Sequence, residues 1–141
     1  NEWTPNKSNQ KHVQFDGGND SNPYIFVFDL DDISREYTHL GLMPRLQWTA
    51  PAPKTVKIEV SADGNSWETV VDKVSGNGFT VAELKGESNT NNDHYEGMVR
   101  WFDLGVQQKR YIRLFVYETH WSGNVLCLDE VFVADRSAVA K

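Results

Sequence analysis

Cysteine is almost absent from this chain: Cys127 is the single one in 141 residues. No intrachain disulfide can form, and a cysteine-ligated zinc cluster is excluded. Cys127 sits in the apolar run Val125-Leu126-Cys127-Leu128. That setting predicts a buried small hydrophobe, because a reactive thiol needs an exposed, electropositive environment. Long apolar runs are missing too. None approaches the ~20 residues of a transmembrane helix, and no signal peptide is visible. Positive charge is scarce, with 14 Lys and Arg against 20 Asp and Glu and a net charge of -6. Nucleic acid and anionic lipid both call for basic patches, so neither is an expected partner.

Helical periodicity is also missing, and so are the motifs of catalysis. His12, His39, His94 and His120 show no metal-ligand spacing of the HExxH kind. There is no GxSxG, no phosphate-binding loop and no cysteine nucleophile with a matching constellation. Asp31-Asp32 and Asp129-Glu130 are neighbours in sequence. On a strand such neighbours point to opposite faces, so neither makes the paired carboxylates of a glycosidase. The chain is read as non-catalytic.

What is present is strand chemistry. Hydrophobic residues make up 39% and aromatics 12%, enough for one domain over residues 1–141 with its own core. In Thr55–Val71, Val56, Ile58 and Val60 alternate with Lys57 and Glu59, which puts aliphatics on one face and charges on the other. Ala62-Asp63-Gly64-Asn65 carries turn chemistry, and Trp67, Thr69 and Val71 resume the alternation. The pattern predicts a β-hairpin whose apolar face needs a second layer. The apolar run Tyr24–Leu30 reads as a central strand covered on both faces. Further strands are expected over residues 37–43, 79–84, 98–104, 110–117 and 126–133. Residues 1–22 read as polar and loop-like, and Pro51 and Pro53 argue against ladder pairing around Trp48. The tail after Asp135 should fray. About eight short strands without helix means a β-sandwich or a barrel.

The order of several segments adds to this. Trp3-Thr4-Pro5 comes first, then the run from Pro23 that ends in Asp29-Leu30, then Leu42-Met43-Pro44-Arg45. Ile58-Glu59-Val60-Ser61-Ala62-Asp63-Gly64-Asn65-Ser66-Trp67 follows, then Arg110-Tyr111-Ile112-Arg113-Leu114, and last Leu128-Asp129-Glu130-Val131. In this order, over nearly the whole chain, the sequence resembles the discoidin or F5/8 type C domains, which include the family 32 carbohydrate-binding modules. The resemblance implies an all-β, eight-stranded antiparallel jelly-roll sandwich with its ligand site in the loops at one end. The family's usual first segment, which would precede Trp3, is not in this sequence, so upstream sequence in a larger protein is expected. That segment normally supplies part of a structural calcium site, and a glutamate matched by Glu130 supplies another ligand. Calcium takes about six to eight oxygens, more than this sequence offers in one place. The structural alternative for Glu130 is a strand-edge carboxylate or an ion pair. No cofactor is otherwise required.

Sugar binding needs a flat aromatic face to stack on a pyranose ring and a few fixed polar groups to read its hydroxyls. Trp121 leads the candidates. It lies among polar neighbours in Thr119-His120-Trp121-Ser122-Gly123-Asn124, where carbohydrate-binding relatives often place a stacking aromatic. Trp48 is the second platform, the alternative being a plug over the sandwich end. Arg45 matches a family arginine that contacts hydroxyls, and its forked donors suit that task; a structural ion pair is its alternative. The asparagine that often follows in galactose-binding relatives is replaced here by Thr49-Ala50, which argues against galactose preference. His120, Asn124, His94 and Tyr95 complete the candidate set. Trp67 and Trp101 are in strand phase and are expected in the core, as is Trp3. The expected function is a carbohydrate-binding module, monomeric within a larger bacterial protein that is extracellular, surface-attached or periplasmic. The leading alternative is a protein-interaction or adhesion domain using the same loops. Lipid binding and a small hydrolase rank below both.

Overall fold

The computed structural model describes residues 13–31, 34–45, 51–80, 84, 99–121 and 123–137. They form eight strands: β1 (Val13–Phe15), β2 (Tyr24–Asp29), β3 (Tyr37–Pro44), β4 (Pro53–Ser61), β5 (Glu68–Val71), β6 (Arg100–Gln107), β7 (Tyr111–Thr119) and β8 (Leu126–Ala134). No helix occurs among the described residues. Two four-stranded sheets result, sheet A in the order β1-β8-β3-β6 and sheet B in the order β2-β7-β4-β5. Every pairing is antiparallel: β1 with β8, β2 with β7, β3 with β6 and β4 with β5. The chain is therefore one long ribbon doubled back at the β4–β5 hairpin. It is rolled so that successive pairs fall on alternate sheets. Rolling adds the contacts of β3 with β8 and of β4 with β7. This is the jelly-roll sandwich that the sequence resemblance implies.

The hairpin forms where the alternation puts it. Asp63 Oδ1 accepts the backbone N–H groups of Asn65 and Ser66 at 2.8 and 2.9 Å, and Gly64 takes φ 78°. Those bonds hold the Asp63 carboxyl below its ordinary range. Val56, Ile58 and Val60 are fully buried and meet Leu40, Leu42, Leu126 and Leu128 of the other sheet in the shared core. Each such side chain stabilises the fold by about 1.5–3 kcal/mol. Cys127 is fully buried, as its apolar run predicts.

Five expectations are corrected. β2 is not central but the edge of sheet B, with Ile25 and Val27 exposed at 53% and 55%. An apolar run tells that both faces are greasy, not that both are covered; here Phe26 and Phe28 pack inward while Ile25 and Val27 stay exposed on the outer face. Trp67 and Trp101 are not core residues. Phe102 and Leu104 take the inward phase of β6, so Trp101 turns outward against Phe132, with the Arg136 guanidinium 4.3 Å from its ring. Trp67 faces out as well, with the Arg113 guanidinium 4.0 Å away. Of residues 79–84, Phe79, Thr80 and Leu84 are described and none is in a strand; Leu84 donates its N–H to Thr80 O in a turn and is buried. Finally, Pro53 does pair, opening β4 opposite Thr119, and β1 lies inside the segment read as loop.

Candidate functional site

Register decides which connections share an end. Phe15 lies opposite Leu126, Pro44 opposite Leu128 and Pro53 opposite Thr119. The links from β1 to β2, β3 to β4, β5 to β6 and β7 to β8 therefore all leave from one end of the sandwich. Backbone bonds lace their described parts together. Cys127 N–H donates to Pro51 O and His120 N–H to Ala52 O, each at 3.1 Å, and Phe79 N–H donates to Pro53 O at 2.9 Å. Ala52 and Phe79 are buried beneath these links and close the core at this end.

The β7–β8 link is tightly bonded. Trp121 N–H donates to Thr119 Oγ1 at 3.3 Å, and Asn124 N–H donates to Trp121 O at 2.8 Å. Asn124 Oδ1 in turn accepts Thr119 N–H at 3.2 Å. Asn124 adopts a left-handed backbone with φ 50°, one of the few non-glycine residue types that does so readily. The outcome is a tryptophan held at the surface on the end of the sandwich, 38% exposed. It is the one large aromatic among the exposed hydrophobic side chains of the described residues.

The neighbours predicted from sequence divide into three groups. His120 is at the site but is spoken for on one side: its Nε2 lies 2.6 Å from Phe79 O. A carbonyl oxygen only accepts, so Nε2 carries the proton and ties the β7–β8 link to the β5–β6 link. Asn124 is also at the site, with its side-chain oxygen engaged by the loop. Arg45 follows β3 directly and acts on the buried Cys127 thiol. Burial pushes that thiol up, and Arg45 offsets part of the shift. Trp48, His94 and Tyr95 lie outside the described residues, as does Trp3. Glu130 is half-buried on β8 and accepts Val131 N–H at 3.2 Å. Among the described residues no three His, Cys, Asp or Glu side chains gather into a metal-binding group.

A concavity lies elsewhere. A cleft of about 620 Å³ opens on the side of the sandwich between β2 and β8. Phe15, Phe26, Phe28, Leu128 and Val131 line it, and Asp29, Asp129 and Glu130 bring carboxyl groups to it. It exists because β1 covers β8 only from Leu126 to Leu128, leaving the rest of β8 opposite the edge strand β2. At the loop end the described residues offer the Trp121 side chain as a platform. Sequence reading missed two residues that build this end: Thr119, whose hydroxyl and amide anchor the loop, and Tyr24, whose hydroxyl donates to Asn124 O at 2.6 Å. Tyr24 sits in an apolar strand run where nothing local marks it, and Thr119 was grouped with the polar neighbours of Trp121, although it closes β7 and anchors the loop from there.

No protein-family model matches the chain, and no curated protein matches it. Solved structures do. One is CpGH89CBM32-5 from Clostridium perfringens, in complex with GalNAc-β-1,3-galactose, with a TM-score of 0.55, 16% identity and coverage of 79% of this chain and 66% of that one. Another is the C-terminal domain of a chitobiase from Bacteroides fragilis, with a TM-score of 0.52, 22% identity and coverage of 79% of this chain and 62% of that one. A third is CBM32-1 from a family 31 glycoside hydrolase of Clostridium perfringens, with a TM-score of 0.56, 17% identity and coverage of 88% and 76%. This chain thus spans less than two thirds of the length of the Bacteroides domain and about that share of the first. At these identities the likeness is one of fold: the chain carries the discoidin-like jelly roll of the family 32 carbohydrate-binding modules.

Proposed function

We propose that this domain is a non-catalytic carbohydrate-binding module of a secreted or surface-attached bacterial protein that handles glycans. One observation carries the reading: a hydrogen-bonded loop at the end of the sandwich holds Trp121 at the surface, 38% exposed. The solved neighbours support it, one of them in complex with a disaccharide. Trp121 supplies the stacking face, with hydroxyls read by loop polar groups, His120 and Arg45 among them. Trp48, His94 and Tyr95 belong to the same proposal through their places in the sequence. A structural calcium with Glu130 among its ligands stays part of it as well, tested by the change in melting temperature on adding EDTA.

The magnitudes fix the affinity class. One indole face buries about half of the ~200 Å² that an aromatic side chain can bury. That contributes about 2.5 kcal/mol, and two hydrogen bonds add about 1 kcal/mol each. The sum corresponds to binding at about the millimolar level. Trp121→Ala removes more than half of it, so isothermal titration against a glycan panel should show heat with the wild type and none with the variant. Heat with no sugar, or equal heat from both proteins, removes this reading.

The second reading is a protein-interaction or adhesion domain. The exposed Ile25 and Val27 on the edge strand β2, beside the cleft, favour contact with another protein through that flank. A blank glycan array together with a defined protein partner, lost on Val27→Lys, would establish it. Turnover of chromogenic glycosides is expected with neither reading.

A further inference from the structure

We infer that Tyr24 and Asn124 form a latch that sets where the Trp121 indole stands, which makes them positioning residues for the binding site proposed above; the inference rests on that reading. Three polar groups of Asn124 converge on one task. Its N–H holds Trp121 O at 2.8 Å, its Oδ1 holds Thr119 N–H at 3.2 Å, and its carbonyl accepts the Tyr24 hydroxyl at 2.6 Å. The first two bonds tie the loop's start to its end. The third ties the loop to β2, a strand 100 residues away in sequence. The left-handed backbone at φ 50° aims the N–H and the carbonyl at these two partners at once.

The other side of the latch is equally fixed. Tyr24 pairs with Val116 of β7, so its ring is set by the ladder of sheet B. Its hydroxyl also lies 3.1 Å from Phe15 O at the end of β1. A hydroxyl has one proton, and the shorter contact is to Asn124. The ring lies flush against Gly18 of the β1–β2 loop, where a Cβ would stand 2.3 Å from it. The phenol thus connects the β1–β2 loop, the edge of sheet A and the loop that carries Trp121. A platform held this way loses little freedom when a ligand lands on it, and an untethered one would lose more. The latch is a device for affinity without any contact between Tyr24 and sugar.

The test uses Tyr24→Phe, which deletes one oxygen, and three substitutions at Asn124. Without sugar, the indole Nε1–H resonance of Trp121, assigned by its loss in Trp121→Phe, should shift and broaden in Tyr24→Phe and in Asn124→Ala. Acrylamide quenching should rise with it. Asn124→Asp keeps the side-chain acceptor and should restore the wild-type signal; Asn124→Gly keeps only the backbone and should fall between. With sugar, Tyr24→Phe and Asn124→Ala should bind about three- to tenfold more weakly, the cost of ordering one side chain. An unchanged Trp121 resonance in Tyr24→Phe overturns the latch, even if Asn124→Ala fails to fold. Should Trp121→Ala bind as the wild type does, the glycan reading falls instead, and the sugar-free resonance still decides the latch.

Discussion

Asp29 shows how far a single side chain can be predicted from its contacts. Arg110 grips its carboxylate with two bonds, Nε to Oδ1 at 2.7 Å and Nη2 to Oδ2 at 2.8 Å, and Asp31 N–H adds a third at 2.9 Å. The Arg110 hydrogen bond is the main cause holding the Asp29 pKa down, from 3.8 to about 2. A lowered folded-state pKa means that the pair's contribution is complete above about pH 4 and drains away as pH falls toward 2. A carboxyl-carbon NMR titration should find the Asp29 midpoint near 2, and Arg110→Met should raise it toward the ordinary carboxylate value, stopping short of it because the Asp31 N–H bond remains. A wild-type midpoint at the ordinary value would refute the pairing. Because both partners are exposed, the same substitution should barely change the melting temperature at pH 7. Residues of this kind divide by how local their cause is. Trp121 was legible because polar neighbours and a missing strand phase mark a loop aromatic. Trp67 and Trp101 were misread because alternation separates two faces without saying which one a second layer covers. The Tyr24–Asn124 bond could not be read at all, since its two ends meet only after β2 and β7 have paired.

Among the elements, β3 and β6 make the sharpest steric demand. Trp101 lies across Gly41, where a Cβ would stand 2.7 Å from the ring and 2.9 Å from the Val99 side chain. Gly41→Ala must push the indole off the sheet, away from Phe132 and the Arg136 guanidinium. Such overpacking costs about 1–3 kcal/mol, to be read as a lower urea midpoint at unchanged slope; an unchanged midpoint would mean that the indole lies elsewhere. On sheet B the outer face is tied by charge over aromatics. Arg113 donates twice to Glu59 Oε1, at 2.9 and 2.7 Å, while lying over Trp67; Lys57 and Lys73 each lie 4.1 Å from the rings of Phe115 and Tyr117. Arg113→Ala leaves the mostly buried Glu59 with Lys57 3.7 Å away and a weak bond from Thr69. A loss of about 2–3 kcal/mol is expected from chemical denaturation. The edge strand predicts the opposite behaviour. Val27→Lys should change stability by less than about 0.5 kcal/mol while raising solubility, since it places a charge on an open apolar edge. Strand identity was legible wherever charge alternated with bulk, as in β4 and β7. It failed for β1, three residues long in polar surroundings, and for the rank of β2, whose position depends on partners far along the chain.

At the scale of the whole molecule, alternation left sandwich and barrel equally open, and the order of motifs along the chain pointed to the jelly roll. Neither could tell how the end loops meet, because that follows from register across both sheets. The wrap also sets the kinetics. The first strand pairs with the last and the second with the seventh, so most contacts close long loops. Refolding should fall in the millisecond-to-second range of all-β domains and not in the microsecond range of helical bundles, as stopped-flow tryptophan emission can check. The position of β8 adds something further. It lies between β1 and β3, so sheet A has a gap through its middle until residues 126–134 have been made. A nascent chain emerging from the ribosome therefore cannot close sheet A before nearly all of this domain has been translated, so the apolar inner faces of β3 and β6 wait on the last strand for their cover.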